Sequence, residues 1–514
     1  MAGNAQRIAS NTMFLYIRMG IATLVSLYTS RVVLQQLGID GYGTYTLVAG
    51  IVTFWTFLSR SMSTAGARYL AVAIGSGTIE ERKHTFSSNF MSHLALAGII
   101  FFLTETVGLW FVNAKLELAD NVIFSANVVY QCSVIMIVTS IISVPFNSLI
   151  IAHESMNIYA KYEIISSCLN LLTALTLILI PGNKLEIYAI LLLLSSLIVT
   201  FLYVRFSFTH FRSDIAFRSF SPKRVREIFS FTSWDLFCNG AVSLRHQGTA
   251  VIYKWFVGTA VNAALGICMS VQAIVTTFAN NLATAVRPQI IKTYAAGNYT
   301  YMQTLVTSGS KLMSYLILLL IVPIICEIDF ILHIWLSEVP PHTSGFVRLT
   351  IIGTYCWSFT STLHTTIHAT GRVKSYSIVS GIMVLSELGV VYGLFFLSRD
   401  VYIPQYLRVI VITILGFVML HYIKKYIPEF NVRQYIREIY GKGLVSILLC
   451  FILPLTVCYF MQDGWARLCI IIPLSMCTTT FIVWHISFTP LEQAKVKEIV
   501  SSFIARFRKR VQPQ

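Results

Sequence analysis

The stretch Arg31–Leu70, RVVLQQLGIDGYGTYTLVAGIVTFWTFLSRSMSTAGARYL, decides the fold. An apolar run ends at Leu37-Gly38-Ile39-Asp40-Gly41-Tyr42-Gly43, and a second apolar run begins at once. Apolar helices joined by so short a turn are antiparallel neighbours. The second run carries Arg60 about 17 residues into its span, roughly 26 Å along a helix rising 1.5 Å per residue. An arginine at that depth costs at least a few kcal/mol unless it faces a cavity or a partner. Its neighbours Ser59, Ser61, Ser63 and Thr64 are small and polar, as a cavity wall requires.

Working outward, the rest of the chain has the same character. It has 514 residues, of which 56% are hydrophobic and 12% charged, with a mean hydropathy of +0.71. Soluble domains carry about a quarter charged residues, so a soluble multidomain protein is excluded. The apolar runs are too long and continuous for the alternating strands of a β-barrel. The net charge of +16 would point to nucleic acid in a soluble protein; in a membrane protein it follows from cationic cytoplasmic loops, and no nucleic-acid partner is expected. The ten cysteines form no CxxC pair, so neither a disulfide framework nor a metal site is indicated. No cleavable signal is evident after Met1.

About fourteen apolar spans can be laid along the chain, each near the length a bilayer requires. Span one covers 11–36, span two 43–72, span seven 227–256, span nine 304–326 and span ten 345–369. The expected class is an all-α polytopic membrane protein. One set of loops holds Arg82, Lys83, Arg212, Arg218, Lys223, Arg224, Arg226, Lys292, Arg372, Lys374, Lys424 and Lys425, while the opposite set holds little more than Lys115, Lys184, Arg399 and Arg467. The excess of Lys and Arg marks the cytoplasmic side. With an even span count, both termini are expected there. The largest outer loop, Glu327 to Ser344, is too short for a folded domain.

The opening turn has an echo. Leu37–Ile51 lies against Val257–Val271 at a constant offset that pairs Gly38 with Gly258 and Leu47 with Ile267. The first copy leaves span one for span two and the second leaves span seven for span eight, so both enter the membrane in the same sense. That pattern predicts two parallel six-helix lobes around a central cavity, 1–208 and 209–424, related by an axis along the membrane normal. Spans thirteen and fourteen, within 425–487, are additional. The remainder, 488–514, reads as a basic amphipathic tail. Thr489-Pro490-Leu491-Glu492 resembles a capping box with proline at the first helical position. Val496, Ile499, Val500, Phe503, Ile504 and Phe507 then recur at helical spacing among lysines and arginines, a pattern suited to an anionic leaflet or to docking on the protein's own cytoplasmic face.

Deep charges are the candidate site residues. Arg245, in the run Arg245-His246-Gln247, is as deep in span seven as Arg60 is in span two. Arg18 and Arg31 share span one, about 140° apart on a straight helix, and both face one side only if the helix bends, for instance at Gly20. Glu105, Asp235 and Glu387 are the intramembrane acids, suited to pair with an arginine or to carry a coupling ion. His364 and His368 have the spacing of a zinc pair but lack a zincin glutamate, and read as polar packing. No nucleotide-binding loop is present.

These residues resemble the polysaccharide, or O-antigen, flippases of the multidrug/oligosaccharidyl-lipid/polysaccharide exporter superfamily. The resemblance rests on Leu37–Tyr45, on Ala67-Arg68-Tyr69, and on Phe256-Val257-Gly258 with Val261–Ile267 and Thr284–Lys292. It implies transport of an undecaprenyl-diphosphate-linked oligosaccharide across a bacterial inner membrane by alternating access, without an enzymatic step or cofactor, driven by a proton or sodium gradient. It also implies contact with membrane lipids and with a glycan polymerase and other assembly proteins. Arg18, Arg31, Arg60 and Arg245 are the expected cavity lining, since guanidinium binds phosphate in a bidentate manner. The second lobe has no pair matching Tyr42-Gly43, so the lobes need not contribute equally. A drug or cation antiporter of the same superfamily is the competing reading, and its cavity would favour acids over arginines. A membrane polysaccharide polymerase would need a larger outer loop than this chain has.

Overall fold

Gly38 is where the first helical path breaks. Its φ of 70° and ψ of 174° lie outside the helical region, and that positive φ is one glycine adopts without strain. The chain therefore leaves span one and enters span two through this residue, inside a segment otherwise helical from Ala2 to Thr53 (α1). The computed structural model describes residues 2–56, 66, 69–70, 73–74, 78–153, 155–217, 221–336, 338–490 and 492–493.

Every regular element among the described residues is helical. After α1 come α2 (Ile79–Leu103), α3 (Leu109–Ala114), α4 (Asp120–Ala152), α5 (Met156–Leu179), α6 (Lys184–His210), α7 (Pro222–Phe256), α8 (Ala260–Ala295) and α9 (Tyr299–Trp335). Then follow α10 (Thr343–Ser358), α11 (Ser361–Ala369), α12 (Lys374–Leu397), α13 (Ile403–Tyr426), α14 (Val432–Tyr435), α15 (Lys442–Phe460) and α16 (Trp465–Ile482). Local chemistry sets several starts. Thr78 accepts from the Glu81 amide and places Glu80 and Glu81 in the first turn of α2, where carboxylates complement the helix dipole. Asn183 caps α6 through the Leu185 amide.

Ten helices among the described residues are long and apolar enough to cross a membrane. They match ten of the fourteen spans expected from sequence, and the other four are the following. Spans one, two and seven fall partly on residues or side chains outside the described set. Span ten is broken into α10 and α11, neither of spanning length. No proline or glycine marks the break. Instead Tyr435 reaches across and its hydroxyl donates to the Phe359 carbonyl at 2.7 Å. A carbonyl freed inside a membrane protein must find such a partner. Span nine differs the other way: α9 has 37 residues, longer than the hydrocarbon thickness demands. Glu327, read from sequence as the start of an outer loop, lies inside α9 and is fully buried.

A further irregularity interrupts the third span. Residues Thr104–Gly108 form a π-turn between α2 and α3. The Tyr130 hydroxyl donates to the Thr104 carbonyl at 2.7 Å. A Cβ at Gly108 would lie 2.1 Å from that hydroxyl, so glycine there is what admits the tyrosine.

The helices sort into two compact units. The first comprises 1–270, 332–346 and 374–407, and the second 271–331, 347–373 and 408–514. In the first, Leu47, Val52, Ile100, Val129 and Val134 form the main core, with a smaller cluster of Leu70, Phe86, Phe146 and Leu149. The echoed turns meet within this unit. Gly258 has φ +119°, matching the left-handed role of Gly38, and the Thr259 hydroxyl donates to Asp40 Oδ1 at 3.2 Å. A Cβ on Gly43 would sit 2.3 Å from the Thr259 carbonyl oxygen. Backbone cannot move aside as a flexible side chain can. Gly43→Ala is therefore expected to destabilise by about 1–3 kcal/mol or more, seen as a reduced monodisperse peak in fluorescence-detected size exclusion. A wild-type profile would show that the two turns are not packed this closely.

In the second unit, the start of the tail is fixed. The Thr489 amide donates to Glu492 Oε2 at 2.9 Å, and the Glu492 amide donates to Thr489 Oγ1 at 3.4 Å, which is the reciprocal capping box expected from sequence. Ser308 Oγ donates to Glu492 Oε1 at 3.1 Å, and Lys311 Nζ lies 3.4 Å from Oε2. Partial burial pushes the Glu492 carboxyl up, but the Thr489 amide, Lys311 and the two hydroxyls outweigh it and hold the group below the usual carboxylate range. A depressed folded pKa means the contact contributes fully above the unfolded value and is lost as pH falls through the folded one. The protection factors of the Thr489 and Glu492 amides, corrected for the intrinsic slowing of exchange in acid, should fall on acidification and in Glu492→Gln at neutral pH. Unchanged protection factors in both would refute the anchoring. The basic part of the tail, from residue 494, lies outside the described residues.

Candidate functional site

Of the charges picked from sequence, the structure brings two together. Arg245 on α7 and Glu387 on α12 are both buried, at 7% and 5% exposure, and Arg245 Nη1 lies 3.4 Å from Glu387 Oε2. The contact is long for a charge-assisted hydrogen bond, which runs near 2.7–2.9 Å, and it uses one arm of the guanidinium fork.

The pair sits beside a cavity of about 500 Å³ in the first unit. Leu244, Gln247 and Gly248 line it from α7, and Leu388 and Gly389 from α12, so the chain neighbours of both charges form its wall while the charges themselves do not. Gln247 is seated there because Gly50 has no side chain: a Cβ on Gly50 would lie 2.3 Å from the Gln247 amide oxygen. In this arrangement Arg245 is held against Glu387, and the described residues give the cavity an almost wholly apolar lining.

Glu105 lies in the π-turn and accepts from the Gln131 amide at 3.2 Å, while its Oε1 is buried with no hydrogen-bond partner among the described residues. π-turns inside helices recur at functional sites. Arg31 Nη1 donates to the Ile334 carbonyl at 3.0 Å. The Arg18 and Asp235 side chains and the whole of Arg60 lie outside the described residues.

Sequence reasoning missed a set of buried charges in the second unit. Arg467, read as an outer-loop cation, is 6% exposed, and its Nε and Nη2 donate to Glu327 Oε1 and Oε2 at 2.8 and 3.1 Å. This is a bidentate fork with both arms at full hydrogen-bonding distance, unlike that of Arg245. Lys311, 3% exposed, holds Glu438 at 2.6 Å as well as Glu492. Glu438 also receives Lys442 at 2.9 Å. A signal for Lys311 existed: it stands within Ser308-Gly309-Ser310 and Ser314, the same small polar setting that singled out Arg60. Next to it, Ser310 bonds the Tyr435 hydroxyl at 2.6 Å and also contacts Thr362, tying α9 and α11 to the break in span ten.

No protein-family model and no curated protein matches the sequence. Solved structures do match. A multidrug resistance MATE family transporter of the MOP superfamily, in an inward-facing conformation, superposes with a TM-score of 0.66 at 16% identity, covering 82% of this chain and 98% of that one. The chain has the fold of a MOP-superfamily transporter. The lipid II flippase MurJ, in an inward closed conformation, matches with a TM-score of 0.66 at 13% identity over 92% of this chain and 98% of its own. A MOP superfamily transporter from Pyrococcus furiosus, described as having a binding pocket of reverse polarity, matches with a TM-score of 0.60 at 14% identity, over 82% and 96%. The MOP-type fold is thus shared at identities where fold alone carries over.

Proposed function

We propose that this chain is a lipid-linked oligosaccharide flippase of a bacterial inner membrane, moving an undecaprenyl-diphosphate-linked glycan from the inner to the outer leaflet by alternating access. The observation that carries the reading is the extent of the likeness. The match to the flippase MurJ runs over 92% of the chain, whereas that to the drug exporter leaves about a fifth unmatched at 82%. The four candidate intramembrane arginines, against three intramembrane acids, agree with an anionic substrate.

In this reading the lobes 1–208 and 209–424 alternate about the cavity, and both termini face the cytoplasm. Arg18, Arg31, Arg60 and Arg245 serve the diphosphate and sugar. Glu105, Asp235 and Glu387 are the coupling candidates for a proton or sodium gradient. Glu387 is the best placed of them: neutralising it would free Arg245 from a contact already long at 3.4 Å. The glycan is O-antigen or a capsule or exopolysaccharide repeat, handed to a polymerase outside.

The buried, unpartnered Glu105 Oε1 favours a second reading, cation antiport, because a free carboxylate oxygen in the membrane suits a cationic ligand. Depleting the protein separates the readings. Lipid-linked glycan building up on the inner leaflet is the expected result. No build-up, together with retained dye or drug inside the cell, would replace the flippase reading with the antiporter.

A further inference from the structure

Within the second unit, α9 and α15 bring two cysteines together. Cys326 is buried at 8% exposure, and Cys458, in the last turn of α15, is half-buried. Cys458 Sγ donates to the Cys326 carbonyl at 4.0 Å, and the two thiols lie within hydrogen-bonding reach of one another. Their surroundings mark their depth. Glu327, next to Cys326, receives the Arg467 fork, and Arg467 Nη1 also donates to the Met461 carbonyl at 3.2 Å. Tyr459, Phe460 and Trp465 are exposed on either side of the turn 461–464, as aromatic residues are at a bilayer interface. The thiols therefore lie just inside the membrane surface at that turn. Far along α9 from Cys326, Lys311 holds Glu438, four residues before α15 begins.

We propose that Cys326 and Cys458 are an oxidisable pair that forms a disulfide at the outer face of the membrane, with a protein disulfide of the periplasm as the oxidant. The inference rests on the orientation adopted in the flippase reading and on nothing about the substrate. Compartment decides the outcome: thiols at the cytoplasmic face are kept reduced, whereas those at the periplasmic face meet an oxidising environment. A disulfide also needs side chains already directed at one another, and contact between the two thiols meets that need. Cys458 is the more exposed, so the oxidant reaches it first. Its thiolate attacks the oxidant's disulfide, forms a mixed disulfide and releases one thiolate of the oxidant. The Cys326 thiolate then attacks the Cys458 sulfur and expels the second. The pair gives up two electrons and two protons, and the oxidant leaves as a dithiol carrying both. The bond spans 132 positions of sequence, which is why no short cysteine motif announces it. A loop that long, once closed, restricts the unfolded chain and so favours the folded one. It would tie α9 to α15 covalently near the outer face, while Lys311 and Glu438 tie the same two segments ionically at the other.

The test uses the full-length protein in its native membrane, with thiols trapped by acid before solubilisation. Alkylation after denaturation should leave two of the ten cysteines unmodified, and reduction should expose both, which peptide mapping should assign to Cys326 and Cys458. In Cys326→Ser and in Cys458→Ser every remaining cysteine should alkylate without reduction, whereas Cys469→Ser should keep the pair. Ten alkylated cysteines in the unreduced wild type overturn the proposal, and so does a disulfide mapped elsewhere. Reduction should lower the melting temperature of wild type by about 2–5 °C, as release of a long closed loop does, and leave Cys458→Ser unmoved. An equal shift in both would overturn the tie between the helices. Orientation is read separately: in Cys326→Ser, a membrane-impermeant maleimide should label Cys458 from outside intact spheroplasts. Labelling from outside, with ten free thiols in wild type, would place the failure in the pairing; labelling only after lysis would place it in the orientation. Glycan accumulation on depletion tests the transport reading independently of either result.

Discussion

On the proposed flippase reading, Arg245→Ala is expected to abolish glycan export and also to lower the amount of folded protein. The substitution removes the Arg245 contact from a Glu387 that is only 5% exposed. Breaking a buried pair by removing one member costs about 3–5 kcal/mol, and even 1–2 kcal/mol alters cellular abundance several-fold. The double substitution Arg245→Ala with Glu387→Ala removes both charges and should restore the protein level while export stays absent. Membrane immunoblots read the first quantity and surface glycan the second. Full export in the double variant would remove Arg245 from the transport machinery and leave the pair a packing device.

Arg467→Ala should have the largest effect on stability. Glu327 is fully buried and receives both arms of the guanidinium. Loss of the fork should cost about 3–5 kcal/mol. With about 2.1 cal/mol/K of unfolding entropy per residue, that corresponds to a melting temperature lower by about 3–5 °C for a chain of this length. Replacing both members, Arg467→Met with Glu327→Leu, should recover most of the loss, since an apolar pair of similar volume is often as stable as a buried ion pair. Export should survive in the double variant, because the fork joins α9 to α16 within the second unit, remote in sequence from the residues proposed to contact substrate. Thermal unfolding in detergent measures the first effect. An unchanged melting temperature in Arg467→Ala would show that the fork holds nothing together.

The membrane class and most spans were legible because hydropathy is a local property, averaged over the 18 or 20 residues that cross a bilayer. The turn at Gly38 was legible for the same reason: a glycine between apolar runs says what it does. The irregular backbone was not. Nothing in Cys356–Ser361 announces a break, and nothing in Thr104–Gly108 announces a π-turn; each depends on one tyrosine hydroxyl, from Tyr435 and Tyr130, that arrives from a distant helix. Buried charges divide in the same way. Depth marks Arg245 and Glu387 as unusual, but that they face one another across 142 positions of sequence is a property of packing. Arg467 was misread because a cation in the first turn of α16, which begins at Trp465, looks free to reach water, and only Glu327 explains why it turns inward.

The dependence of Phe359 on Tyr435 has a consequence for biogenesis. The two halves of span ten emerge from the ribosome 76 residues ahead of the hydroxyl that satisfies their junction. At about 5–20 residues per second, that leaves the carbonyl waiting roughly 4–15 s. Neither half is long enough to be handed to lipid alone, so the nascent segment is expected to be retained at the insertion site until the thirteenth span has been made. Truncating the chain before Tyr435 should therefore expose the junction to a membrane-embedded protease, while truncation after α15 should not.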